Sequence, residues 1–293
     1  MNVSRLSSGR LGLPVAMMLA RLLPERPMLW LADALADRAA REDSPNVRAV
    51  RANQAVVRGL PPDDPILDRA VQAVFRSAGR GYVALYRALA RGPEHLRQSC
   101  EIAPGMIDRI AYARHSMRGL VLVGPHLSAF DFFILTIAAH GYPMQALTPP
   151  APTDTFKLQN ELRTKYGAEA TPASMEAVRA AIVRLKAGGI VGTGLDRPDP
   201  SGEWIEFFGR QAFLPIGFAR LAVRTGALLL PGAMLPAGPG RYRAIGLELL
   251  EPPASRSDDA ARALAREALR SVEPLIRTYA DEWLMFHPVW PEG

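Results

Sequence analysis

The sequence has a single cysteine in 293 residues, Cys100, so a disulfide framework is excluded and a reducing compartment is weakly favoured. It also lacks internal repeats and low-complexity tracts, and its length suits one large core or two small domains. A Gly-x-Ser-x-Gly elbow is missing, which argues against the usual serine-hydrolase route. The sequence shows no His, Cys and carboxylate spacing typical of a metal site, and no metal is expected.

Long hydrophobic runs are also missing. The most apolar N-terminal stretch, residues 11–23, contains Pro14 and Arg21 and is shorter than the roughly 20 residues that span a bilayer. A helix lying in the membrane interface fits it best, so we expect residues 1–23 to form an interfacial membrane-binding segment. A plain core helix and a signal peptide preceded by Arg5 and Arg10 are the alternatives.

The net charge is positive. It amounts to +6, with a pI of about 9.8, and arginine carries almost all of it. Such a charge favours anionic partners, and an anionic membrane surface is the partner we expect. No block of basic residues interleaved with aromatic residues marks a nucleic-acid surface, so nucleic acid is not expected.

The chain divides near residue 117. Residues 28–115 have helical periodicity, with breaks at 59–65 and 92–93 and a helix start at Ser44-Pro45. Beyond 117, strands are predicted at 119–123, 143–148, 189–195, 203–208, 227–235 and 242–250, and helices at 130–140, 154–166, 174–187, 214–225 and 257–280. This alternation predicts an α/β fold whose central, largely parallel twisted sheet is covered by helices. We expect a single domain over 24–293, with a helical lobe (24–116) and an α/β core (117–293).

The run VLVGPHLSAFDFF at 121–133 carries the most chemical information. A strand ends at Gly124 and delivers His126 to a turn, and Asp131 opens the next apolar segment. With no nucleophilic Ser or Cys beside it, such a pair suggests a base that activates the substrate's own hydroxyl. Ser128 is predicted to cap the following helix, and Asp131 could be only a capping carboxylate.

Later segments follow in an order that resembles a known family. They are Asp196-Arg197, Phe207-Phe208-Gly209 and the stretch from Leu221 to Pro231, with weaker likenesses at 48–53, 160–167 and 283–290. Together with His126 and Asp131, this layout resembles the lysophospholipid acyltransferase superfamily. It is closest to the branch of lipid A late (lauroyl/myristoyl) acyltransferases and phosphatidylinositol mannoside acyltransferases. The residues between His126 and Asp131, LSAF, depart from the Phe/Leu-Gly-Asn-Trp common there.

The resemblance implies transfer of a fatty acyl group from acyl-CoA or acyl-carrier protein to a hydroxyl of a membrane glycolipid or phospholipid. His126 would be the general base, and Asp131 would fix its tautomer. No cofactor beyond the thioester co-substrate is implied. The protein would be peripheral, on the cytoplasmic face of the inner membrane. A hydrolase that uses water and a catalytically degenerate lipid-binding protein are the alternatives.

Further residues are candidates for substrate binding. Arg163 would pair with a phosphate of the donor or acceptor. Asp196 would be a second acid near His126 or would anchor its loop against Arg197, and the loop role is favoured. Phe207, Phe208 and Phe213 would line an acyl tunnel or belong to the core. Gly209, from the same resembling segment, is a further substrate-binding candidate. Backbone N–H groups after Gly124, or an arginine side chain, would donate the hydrogen bonds that stabilise the oxyanion of the reaction.

Overall fold

A sheet of seven strands forms the centre of the computed structural model, which describes residues 18, 20–148, 163, 164, 166–238 and 240–290. Its strands are β1 (Cys100–Ile102), β2 (Leu120–Gly124), β3 (Met144–Thr148), β4 (Ala168–Pro172), β5 (Ile190–Gly194), β8 (Leu228–Pro236) and β9 (Tyr242–Gly246). Strands β6 (Glu203–Phe207) and β7 (Arg210–Leu214) pair apart from it as an antiparallel hairpin.

The order of the sheet is β1-β9-β8-β2-β5-β3-β4. Neighbouring strands are parallel except β8 and β9, which are antiparallel. The strands that carry the site, β2 and β5, lie side by side at the centre. The predicted α/β class with a largely parallel sheet is therefore confirmed.

Helices cover both faces of this sheet. They are α1 (Glu25–Ala40), α2 (Pro45–Arg58), α3 (Ile66–Arg91), α4 (Pro93–Ser99), α5 (Pro104–His115), α6 (Phe130–Ala139), α7 (Met175–Lys186), α8 (Gly217–Thr225) and α9 (Asp258–Thr278). The helical N-terminal region is also confirmed. Within it, α2 begins where Ser44 accepts a hydrogen bond from Val47 N, as the Ser-Pro pair predicts, and ends at left-handed Gly59.

Strand β2 shows why both faces need cover, because all five of its residues are buried. Val121 and Val123 pack on one face with α7, α8 and α9, whereas Leu120 and Leu122 pack on the other with α3 to α6. Strands buried on both sides are expected in a helix-covered parallel sheet. Strand β2 is thus held by packing on both faces, and β5 pairs with it along its whole length.

Several predictions of local structure need correction. Residues 28–115 are not helical throughout, because Cys100–Ile102 forms β1 beside β9. Strands β4 and β7 were not predicted, and the helix expected from 214 begins only at Gly217 because Leu214 ends β7. The strand expected over 242–250 ends at Gly246.

Two predicted segments fall mainly outside the described residues, namely most of 1–23 and most of the helix at 154–166. Across the part of the chain that the structure describes, no helix is both long and apolar enough to cross a membrane.

Candidate active site

The register of the sheet brings His126 and Asp196 together. Strands β2 and β5 are parallel, and Gly124 pairs with Gly194 at their carboxyl ends. His126 and Asp196 each follow their glycine by two residues, so both side chains emerge at the same point of the sheet edge. The carboxyl edge of a parallel sheet is where ligands bind in open α/β folds.

The two side chains form a hydrogen-bonded pair. His126 Nδ1 lies 2.6 Å from Asp196 Oδ1, and the His126 backbone N–H donates to Asp196 Oδ2 at 2.9 Å. The Asp196 carboxylate is fully buried, whereas the imidazole keeps 24% of its side-chain surface exposed. A buried carboxylate at Nδ1 holds the proton there and leaves Nε2 as the basic nitrogen.

The imidazole is also fixed by its packing. The ring of Phe130 stacks on it with centroids 4.7 Å apart. On the β5 side, a Cβ added to Gly194 would lie only 2.8 Å from His126 Cε1. Glycine is therefore required at 194 for the ring to sit over the strand.

Asp131 does not fix the tautomer of His126, contrary to the expectation from the sequence. Its carboxylate accepts a hydrogen bond from Arg163 Nη2 at 2.5 Å, and the Arg163 side chain is nearly buried. The reason is that Asp196 bonds His126 Nδ1, whereas Asp131, in the first turn of α6, is engaged by Arg163. Ser128 does not cap this helix either: it has a left-handed φ of 48°, and the residue before the helix is Ala129.

Asp196 lies beside His126, and its role stays a prediction. Its hydrogen bonds go to His126 and to Trp283, whose Nε1 donates to Oδ2 at 2.7 Å. Arg197, next in the chain, is partly exposed.

Arg197 and His126 also influence His287. Burial lowers the pKa of His287, and the positive charges of Arg197 and His126 lower it further. The pKa of Tyr82 is raised to about 12, first by desolvation of its hydroxyl and then by the Asp131 carboxylate, although 52% of the residue is exposed. Arg163 and Arg197 act on the same hydroxyl in the opposite direction.

The backbone N–H groups of the His126 turn are already used. Those of His126, Leu127 and Ser128 donate to Asp196 Oδ2, to the Pro125 carbonyl and to the Glu282 carbonyl, respectively. They are not available to an oxyanion in this conformation.

Phe207 and Phe208 belong to a buried aromatic cluster with Trp283 and Trp290, in which neighbouring ring centroids are 4.7 to 6.4 Å apart. Phe208 and Gly209 both have positive φ and form the two-residue turn between β6 and β7.

Phe213 packs edge-on against Trp204, which is 59% exposed. A role of Phe207, Phe208 and Phe213 in an acyl tunnel stays a prediction, as do substrate binding by Gly209 and phosphate binding by Arg163.

Comparisons with known proteins give the family. The bacterial lipid A biosynthesis acyltransferase family matches residues 10–292. A phosphatidylinositol mannoside acyltransferase of Mycolicibacterium smegmatis is 26% identical over 285 residues, which cover 96% of this chain and 90% of that protein. Its counterpart in Mycobacterium tuberculosis is 27% identical over 278 residues, or 93% of this chain and 85% of that protein.

Among solved structures, the 1-acyl-sn-glycerophosphate acyltransferase PlsC of Thermotoga maritima is similar, with 16% identity and a TM-score of 0.36. The similarity covers 79% of this chain and 95% of that chain, and it is too distant to assign any residue. The family match, in contrast, spans almost the whole sequence. The chain therefore belongs to the bacterial lipid A biosynthesis acyltransferase family and is a lipid acyltransferase.

Proposed function

We propose that this enzyme moves a fatty acyl group from an acyl thioester to a hydroxyl of a membrane glycolipid or phospholipid, with His126 as general base and Asp196 as the carboxylate that orients it. The observation that carries the proposal is the His126–Asp196 pair at the carboxyl edge of β2 and β5, with Nδ1 turned to a buried carboxylate. That arrangement leaves Nε2 to accept a proton.

The reaction requires no covalent intermediate on the enzyme. Nε2 of His126 takes the proton of the acceptor hydroxyl as its oxygen attacks the thioester carbonyl. The new C–O bond forms, the C–S bond breaks, and the imidazolium returns the proton to the leaving thiolate. Asp196 stabilises the imidazolium while it exists, and its burial strengthens that interaction.

In this proposal, arginine side chains stabilise the negative charges of the oxyanion and of a substrate phosphate. Arg163 is nearly buried and oriented by Asp131, so its guanidinium is held in place before substrate binds. Arg197 adds a second cation beside the base. One of them stabilises the oxyanion and the other a phosphate of the donor or acceptor.

The relatives named as phosphatidylinositol mannoside acyltransferases favour a glycosylated, phosphate-containing lipid as acceptor. Both acyl-CoA and acyl-carrier protein remain as donors in the proposal.

Docking on an anionic membrane is part of the same proposal. Several exposed apolar side chains lie on the N-terminal helical region, and they include those of Leu22 (71% exposed), Trp30 (74%) and Leu31 (48%). The exposed Arg21 and Arg26 lie beside them. Apolar and basic side chains together are typical of interfacial helices. We place this surface on the cytoplasmic face of the inner membrane.

The test is acyl transfer by purified wild type and His126→Ala, with acyl-CoA and acyl-carrier-protein donors and a lipid extract as acceptor. We expect His126→Ala to lose at least about 100-fold in rate, the low end of what a general base contributes. His115→Ala is the matched control, because the His115 ring is exposed at the end of α5 and bonds only its own helix.

Equal rates for wild type and His126→Ala would remove His126 from the mechanism. Release of free fatty acid without acylated lipid would identify a hydrolase instead. No turnover with any donor would favour the lipid-binding reading.

A further inference from the structure

The short segment that follows α9 contacts both members of the His126–Asp196 pair. Trp283 is 1% exposed, and its indole Nε1 donates to Asp196 Oδ2 at 2.7 Å. The residues on either side of it bond the backbone of the His126 turn. Leu284 N donates to the His126 carbonyl at 2.7 Å, and the Glu282 carbonyl accepts from Ser128 N.

The indole bond fixes the orientation of the carboxylate. Asp196 Oδ2 accepts from two donors, the Trp283 indole and the His126 backbone N–H, which leaves Oδ1 for His126 Nδ1. Rotation of the carboxylate would break all three bonds. Because Asp196 is fully buried, a donor that is removed is not readily replaced by water.

The same bond lowers the proton affinity of the Asp196 carboxylate. A hydrogen bond to the ionised form of an acid stabilises that form and lowers its basicity. With the indole in place, the Asp196 carboxylate attracts the proton on His126 less than an unbonded carboxylate would. Loss of the indole N–H therefore raises the pKa of His126.

Other charges act on this imidazole and have to be considered. The His287 imidazole, on the same C-terminal segment, has its pKa lowered by burial and then by Arg197, after β5, and by His126, so these three groups interact. The Glu282 carboxylate is engaged with the Ser77 hydroxyl on α3. Apart from His126, none of these groups bonds Asp196 in the part of the chain that the structure describes, so the Trp283 bond can be changed separately.

We propose that Trp283 is a positioning residue that sets the orientation and proton affinity of the His126–Asp196 pair through its indole N–H. This inference rests on the proposed function of His126 and Asp196. Trp283 touches neither substrate nor the reacting atoms in this scheme. It acts only through Asp196 and through the turn that its neighbours hold.

Trp283→Phe tests the proposal, because phenylalanine keeps an aromatic ring in the cluster and removes the donor. We expect kcat to fall about 10- to 100-fold, in line with loss of a hydrogen bond to a charged group. The acidic limb of the pH–rate profile should move to higher pH. The pKa of His126, followed by the 15N shifts of its imidazole, should rise with it and reports independently of turnover.

Trp290→Phe is the matched control. Trp290 is buried in the same aromatic cluster, but its indole donates to the Phe207 carbonyl at 3.0 Å. The substitution removes the same atoms and should leave both the pH limb and the pKa of His126 in place. A role of Trp283 in packing alone would make the two variants behave alike.

Uniform replacement of tryptophan by 5-fluorotryptophan gives a second perturbation that preserves the ring. Fluorine makes the indole N–H a stronger donor, so the acidic limb should move to lower pH. If Trp283→Phe fails to fold, the pH–rate profile of the fluorinated protein still tests whether the Trp283 indole N–H acts on the His126–Asp196 pair.

An unchanged pH profile in both Trp283→Phe and the fluorinated protein, or equal shifts in the two phenylalanine variants, would overturn the inference. If His126→Ala is inactive in the same assays, the proposed function survives that result. Full activity of His126→Ala would instead remove the proposed function itself.

Discussion

Replacing Asp196 by asparagine should shift the proton on His126 to the wrong nitrogen. The carboxylate receives three donors: the His126 backbone N–H and the Trp283 indole at Oδ2, and His126 Nδ1 at Oδ1. The two donors at Oδ2 are fixed, so the asparagine oxygen must take that place. Its NH2 group then faces Nδ1, which becomes an acceptor, and the imidazole proton moves to Nε2.

The size of the effect follows from the loss of the base. With its proton on Nε2, His126 cannot accept one from the acceptor hydroxyl at that position. The same change of tautomer in a serine-protease triad lowers kcat by about 10⁴-fold. We expect a loss of about 10³- to 10⁴-fold for Asp196→Asn, equivalent to about 4 to 5.5 kcal/mol of transition-state stabilisation.

The assay measures thiol release and acylated lipid at saturating donor, together with the 15N shifts of the His126 ring. Asp131→Asn is the control, because it makes the same chemical change on the carboxylate that bonds Arg163. That variant should leave the His126 tautomer unchanged. Asp196→Asn activity within about tenfold of wild type, or a ring still protonated at Nδ1, would refute the reasoning.

Two further predictions concern the support of the ring and the membrane. Gly194→Ala should lower activity by about 100-fold with little change in Tm, because the added Cβ would displace the His126 ring. Gly192→Ala is the control, because the nearest atom to its added Cβ is the flexible end of the Met144 side chain. Equal losses of activity in the two variants would contradict this prediction. Trp30→Ser should weaken binding to anionic liposomes about tenfold or more in sedimentation assays. Trp204→Ser, an exposed tryptophan on the β6–β7 hairpin, should not, and equal effects of the two would argue against docking through α1.

The strands that build the site were predictable because their signals are local. Buried strands β2 and β5 are continuous apolar or small-residue runs that end at glycine, and their boundaries were predicted to within one residue. The strands that were missed lack such a signal. β1 has only three residues, β4 has the sequence AEATP with one buried residue, and β7 begins with two exposed polar residues and has no polar/apolar alternation.

The His126 partner was not predictable from spacing alone. Asp131 is five residues away and suggested a pair, whereas Asp196 is 70 residues away. A usable signal was present, because His126 and Asp196 each follow a strand-ending glycine by two residues. Using it requires knowing that β2 and β5 are parallel neighbours in register, which is a property of the whole sheet. Trp283 is farther still, and only folding brings its indole to Asp196.

The position of Trp283 in the sequence has a consequence for the order in which the site is completed. Residues 282–284 are translated after all the strands of the sheet that holds His126 and Asp196. A growing chain that has formed this sheet already has the proposed base beside its carboxylate, but not the indole and backbone bonds that orient them. The scaffold of the proposed catalytic pair and the bonds that orient it thus come from distant parts of the chain, and the pair is fully oriented only when residues 282–284 have docked.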